Sequence, residues 1–131
     1  MKELKSEIKN VINHELARAN KEYPLFVSNH EAYGVIKEEL EEARDNIEYA
    51  DLQLGEFWDC TKANDSLEET IEFLERGRKA MLLCACESVQ TSAMFEKAII
   101  SICEGQKKDA EVETKWEELK ILFKDLLDIE V

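Results

Sequence analysis

The sequence predicts an all-α protein: a four-to-five-helix antiparallel bundle assembled as a homo-oligomer. Two observations carry the fold class. A single proline, Pro24, and four glycines interrupt 131 residues. No segment alternates like a strand, and apolar residues recur at steps of three and four throughout, the spacing of helices with one buried face. A third observation concerns assembly. One predicted helix is longer than a compact domain of this size is wide.

The first helix is predicted over residues 2–21, with Leu4, Ile8, Val11, Ile12, Leu16 and Ala19 on its inner face. The loop KEYPLFVSN follows. Ser28 and Glu31 have the spacing of a capping box, which opens the second helix. That helix carries Tyr33, Ile36, Leu40, Ala43, Ile47, Ala50, Leu54 and Phe57. Alternating steps of three and four form a heptad stripe suited to a bundle. Asn64-Asp65-Ser66 breaks the chain, and Ser66 with Glu69 makes a second capping box. The third helix is expected to run to about Glu104 and to stop at Gly105. A last helix is expected over 110–128, with Val112, Trp116, Leu119, Phe123 and Leu126 inward. No repeat or interdomain linker is present, so residues 1–131 read as one domain.

A continuous helix from Ser66 to Glu104 would span roughly 58 Å, against a radius of gyration near ~14 Å for a compact domain. Either it breaks near Gly77 or a second subunit buries it. The apolar segment from Ala80 to Ile102 is also too wide for three partner helices. A homodimer or homotetramer is expected.

Composition excludes several partners. Lys and Arg number 17 and Asp and Glu 30, a net charge of −13. Such a surface repels nucleic acid and anionic membranes. No stretch reaches the ~18 uncharged residues of a membrane span. The segment MKELKSEIKN lacks the apolar centre of a signal peptide, so a cytoplasmic chain is expected. Cys60, Cys84, Cys86 and Cys103 are read as reduced, mostly buried small hydrophobes.

The chemistry centres on one glutamate. From Ala80 to Phe95 the chain reads AMLLCACESVQTSAMF, and Glu87 is its only formal charge. A carboxylate in a buried helix is expensive unless paired, protonated or bound to a metal. The second helix carries Glu38-Glu39-Leu40-Glu41-Glu42. On a helical wheel, Glu39 and Glu42 share one flank of its apolar stripe, three residues apart. Glu87 and Gln90 are likewise three apart. Two such pairs across a seam would make an oxygen-lined pocket, which suits Mg²⁺. The plainer alternative is a solvated acidic face, with Glu87 paired to Arg76, Arg78, Lys79, Lys97 or a tyrosine. His30 reads as a helix-start residue.

Glu38-Glu39-Leu40-Glu41-Glu42 matches the EExxE motif of the MazG-like, all-α nucleoside triphosphate pyrophosphohydrolases. The lead-in Ser28-Asn29-His30-Glu31-Ala32-Tyr33-Gly34-Val35-Ile36-Lys37 resembles small phage and prophage members. Glu87-Ser88-Val89-Gln90-Thr91-Ser92-Ala93-Met94 resembles their second motif region. The resemblance covers about residues 25–103. It implies a helical dimer or tetramer that uses Mg²⁺, with Mn²⁺ as a substitute, to convert a nucleoside triphosphate to a monophosphate and pyrophosphate. It implies Glu39, Glu42 and Glu87 as metal ligands with Gln90 beside them, and Glu38 or Glu42 as the base. Active members read ExxD in the second motif, where this chain has Gln90, and the interval between motifs is longer than usual. Lys79, Lys97 and Arg76 are candidates to neutralise phosphate charge. Asn46, Tyr33, Tyr49 and Trp58 are candidates to meet the base.

Two further readings stand beside the enzyme. One is a non-catalytic helical oligomer on the same scaffold, serving as a nucleotide-binding or protein-interaction module. The other is a plain acidic adaptor bundle in which Glu87 is salt-bridged.

Overall fold

A computed structural model describes the backbone of residues 1–130 and the side chains of residues 1–105 and 109–125. It contains three helices: α1 (Lys2–Glu22), α2 (Asn29–Ala63) and α3 (Leu67–Glu130), with no strand among the described residues. α2 and α3 form an antiparallel hairpin, and α1 packs on α3 alone.

The helix starts follow the predicted local chemistry. Ser28 has extended backbone, and its hydroxyl accepts from the Glu31 N–H at 3.2 Å. The Glu31 carboxylate reaches back to the Val27 N–H, also at 3.2 Å. Both contacts satisfy backbone donors at a helix start. Asn64 adopts φ 51° and closes α2, a left-handed position that asparagine tolerates. The Ser66 hydroxyl then accepts from the Glu69 N–H at 3.3 Å and opens α3.

The helix ends differ from expectation. α3 neither breaks at Gly77 nor stops at Gly105, and no glycine has positive φ. A glycine stop works through a left-handed residue. Here good helix formers follow Gly105 and no proline intervenes, so the backbone continues. The expected last helix is therefore the distal part of α3, and the bundle has three helices rather than four or five. Over 64 residues α3 is roughly 96 Å long. Val112, Trp116, Leu119 and Phe123 are exposed rather than inward. Leu126 lies outside the described side chains.

The register of α2 also shifts. Ile36, Ala43, Ala50 and Phe57 lie in the seam as predicted, but Tyr33, Leu40, Ile47 and Leu54 are exposed. Ala32, Glu39, Asn46, Gln53 and Cys60 take their places. The facing line on α3 runs through Phe73, Gly77, Ala80, Cys84, Glu87 and Thr91. The Cys84 thiol donates to the Ala43 carbonyl at 3.6 Å, which fixes the pairing. Small residues on α3 let the helices approach closely enough for polar residues of α2 to sit between them. On α1, only Ile12, Leu16 and Ala19 of the predicted face are half-buried; Leu4, Ile8 and Val11 are exposed.

The loop before α2 is fixed to α3. The Phe26 N–H donates to the Ser101 hydroxyl at 2.9 Å. Lys97 Nζ lies 4.7 Å from the centre of the Phe26 ring. Cys60 and Cys84 are buried, whereas Cys86 and Cys103 are exposed, against the expectation that most would be covered. All four are free thiols. No helix among the described residues is long and apolar enough to cross a membrane.

Candidate functional site

The α2–α3 seam brings three carboxylates together. Glu39 and Glu42 of α2 and Glu87 of α3 each offer an oxygen within 4.8 Å of the others. Glu39 sits in the seam because it is a heptad step from Ala32 and Asn46, both of which face α3. Glu42, three residues on, lies on one flank and is exposed. Glu87 comes from the facing line of α3 and is half-buried. No lysine or arginine pairs with any of the three among the described residues. This disposes of the expected salt-bridge alternative for Glu87. Arg76 is held instead by Glu72 at 2.6 Å.

The electrostatics are unfavourable to three free carboxylates. Glu39 Oε2 and Glu87 Oε2 are buried without a hydrogen-bond partner. Burial, first, pushes the Glu87 carboxyl above the ordinary glutamate range, and Glu39 beside it pushes it further, while a bond with Glu42 works the other way. Glu42 is raised by its close approach to Glu87, by the charge there, by desolvation, and by Glu38 and Asp45. A proton shared between Glu42 and Glu87 relieves the repulsion. A hard divalent cation would relieve it more completely, because its preferred ligands are carboxylate oxygens. Two unpaired, inward carboxylate oxygens fit such a donor set.

The other predicted residues divide. Glu38 is exposed and outside the trio, acting on it only through its charge on Glu42. Gln90 lies one turn past Glu87, half-buried, and makes no hydrogen bond to the carboxylates. Asn46 and Lys79 meet in one recess of about 340 Å³, which Tyr49, Arg76, Ala80 and Leu83 complete. Asn46 is one turn past Glu42, and Leu83 one turn before Glu87. The recess therefore adjoins the carboxylates, about 6 Å further along the seam. Lys97 is not part of it. It is 5 % exposed and stacks on Phe26, roughly 15 Å along α3 from Glu87.

Tyr33, Trp58 and His30 do not line the recess. Trp58 carries Lys62 over its ring at 5.9 Å. Asp59 and Asp65 do not join the three carboxylates. Asp59 pairs with Lys62 at 3.5 Å, and Asp65 acts on Cys60, whose thiol is pushed up chiefly by burial. Both lie at the far end of α2, roughly 30 Å from Glu39. Leu83 was not singled out from the sequence, because nothing separates it from the other leucines of the apolar run. Comparison of the chain with protein-family models, characterised proteins and solved structures finds no match.

Proposed function

We propose that this protein is a divalent-metal-dependent nucleoside triphosphate pyrophosphohydrolase of the MazG-like type. The observation that supports it most is the convergence of Glu39, Glu42 and Glu87 from two helices, within 4.8 Å and with no lysine or arginine among the described residues paired to them. A solvated acidic face has no reason to bury carboxylate oxygens against each other. Glu39, Glu42 and Glu87 would hold Mg²⁺ or Mn²⁺, with Gln90 offering a neutral amide oxygen nearby. When bound, the ion supplies Lewis acidity and charge neutralisation.

The chain's own groups account for the rest. Glu42, at the exposed edge of the trio, is placed to take a proton from the attacking water, with Glu38 one turn before it as the other candidate base. Water oxygen bonds to the α-phosphorus, and the bond to the bridging oxygen breaks. Pyrophosphate leaves with that electron pair. Lys79 and Arg76 line the adjoining recess and neutralise phosphate charge. Asn46 and Tyr49 offer an amide and a ring to the nucleoside.

The second reading is a nucleotide-binding module without turnover. Gln90 favours it, because one negative charge is missing from the second motif. Pyrophosphate release from a panel of ribo- and deoxyribonucleoside triphosphates under Mg²⁺ and Mn²⁺, beside Glu39→Ala, separates the two. Release that Glu39→Ala abolishes supports the enzyme. No release, with nucleotide still bound in a metal-dependent way, supports the module. Neither release nor binding overturns both.

A further inference from the structure

We infer that the apolar groove between α2 and α3 is a binding site for a free α-amino acid with an apolar side chain.

The groove encloses about 410 Å³, near the lower end of the range for small-ligand sites. It lies on the flank of the seam opposite the recess of Asn46 and Lys79, so it stands apart from the carboxylate trio. Its walls are apolar: Ile47 and Leu54 of α2 stand against Phe73, Leu74 and Met81 of α3. Three polar groups interrupt them. Gln53 lines the groove, and its Oε1 is buried with no hydrogen-bond partner. Asp51 and Arg78 line it too. Both are exposed, and neither enters an ion pair among the described residues. A methyl group at Gly77 would meet Gln53, so the helices are level there. Asp51 lies two residues before Gln53, and Arg78 one after Gly77. In an antiparallel pair they stand nearly level, one on each rim.

The polar set says what fills the groove. A hydrocarbon would leave Gln53 Oε1 without a donor, and a buried acceptor left unpaired is costly. The apolar face of another helix would do the same, and would bury two unpaired charges besides. A simple anion meets Arg78 but is repelled by Asp51 and by the net charge of −13. A simple cation meets Asp51 but is repelled by Arg78. A ligand with both charges close together and an apolar body satisfies every group. The ammonium of an α-amino acid carries three donors. It donates to the Asp51 carboxylate and to Gln53 Oε1, both on α2. The ligand carboxylate accepts from the Arg78 guanidinium on α3, whose fork suits two parallel bonds. The side chain lies between Leu54, Phe73 and Met81 and covers apolar area that is otherwise wet. Because α2 supplies the acceptors and α3 the donor, the bound amino acid ties the two helices together.

The test is isothermal titration calorimetry of the full chain with leucine, methionine, phenylalanine and tryptophan, without metal or nucleotide. At least one should bind in the micromolar to millimolar range. Its amide, which lacks the carboxylate, and its des-amino acid, which lacks the ammonium, should each bind at least about tenfold more weakly. Arg78→Gln should remove the difference between the amino acid and its amide. Asp51→Asn should narrow the difference between the amino acid and the des-amino acid. Both positions are exposed, so both variants should keep the helical circular dichroism of the wild type. No binding by any of the four at millimolar concentration overturns the inference, and a groove closed by other protein surface would give that result. Binding that survives both variants unchanged also overturns it, because the amino acid would then lie elsewhere. So does an amide or des-amino acid that binds as well as the parent, which would make the groove a general apolar surface.

Discussion

The two flanks of the α2–α3 seam are built on the same helices, yet one exposes chemistry and the other exposes oil. On one side Asn46, Tyr49, Arg76 and Lys79 line a recess beside buried carboxylate oxygens. On the other, Ile47, Leu54, Leu74 and Met81 stand half-exposed around an apolar groove. The seam between them holds small and polar residues and contributes little apolar burial. Exposure alone does not tell a site from an interface. The first flank presents groups that are costly to leave unpaired, and the second presents area that is costly to leave wet.

A second acid on α3 should sharpen the contrast most. Gln90→Asp adds a carboxylate one turn from Glu87, on the recess side and away from the apolar groove. Affinity for Mn²⁺, followed by calorimetry, should rise about tenfold, the scale of a supporting ligand change. Nucleotide turnover should rise with it, and sedimentation should not change. An unaltered affinity would mean that position 90 faces away from the carboxylates.

Lys97 tests where the polar flank ends. It was expected to meet phosphate and instead lies against Phe26. Lys97→Ala should cost about 1–2 kcal/mol in chemical denaturation, through lost stem packing and ring contact. Nucleotide affinity of the folded protein should be unchanged. A large loss of affinity would return Lys97 to the site.

The carboxylates themselves carry a pH signature. Glu87 is raised in the folded state, so folding takes up protons as it forms. Below the ordinary glutamate value, about 4.3, both states are protonated and there is no penalty. As pH rises through the raised folded value, the folded chain loses stability relative to the unfolded chain. Glu87→Gln removes that cost. Without divalent metal it should be more stable than wild type by roughly 1 kcal/mol at neutral pH, and equal to it near pH 3.5. Added Mg²⁺ should narrow the gap by stabilising only the wild type. A constant gap across the range would show that Glu87 titrates normally.

How much of this was legible depended on what set each feature. Ser28, Glu31, Asn64 and Ser66 act on their own neighbours, so the helix starts and the α2 end could be read directly. Glu39, Glu42 and Glu87 could be read as a trio because an isolated charge in an apolar run needs an explanation. The seam register could not. Leu40 and Glu39 are adjacent, and the rule that apolar residues go inside favours Leu40. The choice was made by α3, whose Gly77, Ala80 and Cys84 give a close approach that leaves large side chains outside. The continuation through Gly105 was also hidden, because a glycine marks a stop only where the backbone turns left-handed, and here it does not.

Gly77 gives the smallest effect and bears on both flanks. It is half-buried in the seam, and a methyl group placed there would meet only Gln53 Cβ, at 3.8 Å, an ordinary contact. Its φ is negative, so alanine fits the backbone. The glycine is therefore not needed for a turn, and the break expected there has no local cause. Gly77→Ala should stabilise the fold by about 0.5 kcal/mol, mainly by restricting the unfolded chain. A thermal melt of the wild type and the variant at equal concentration would measure it. A loss of stability would mean that the helices come closer at this point than the carboxylate seam requires.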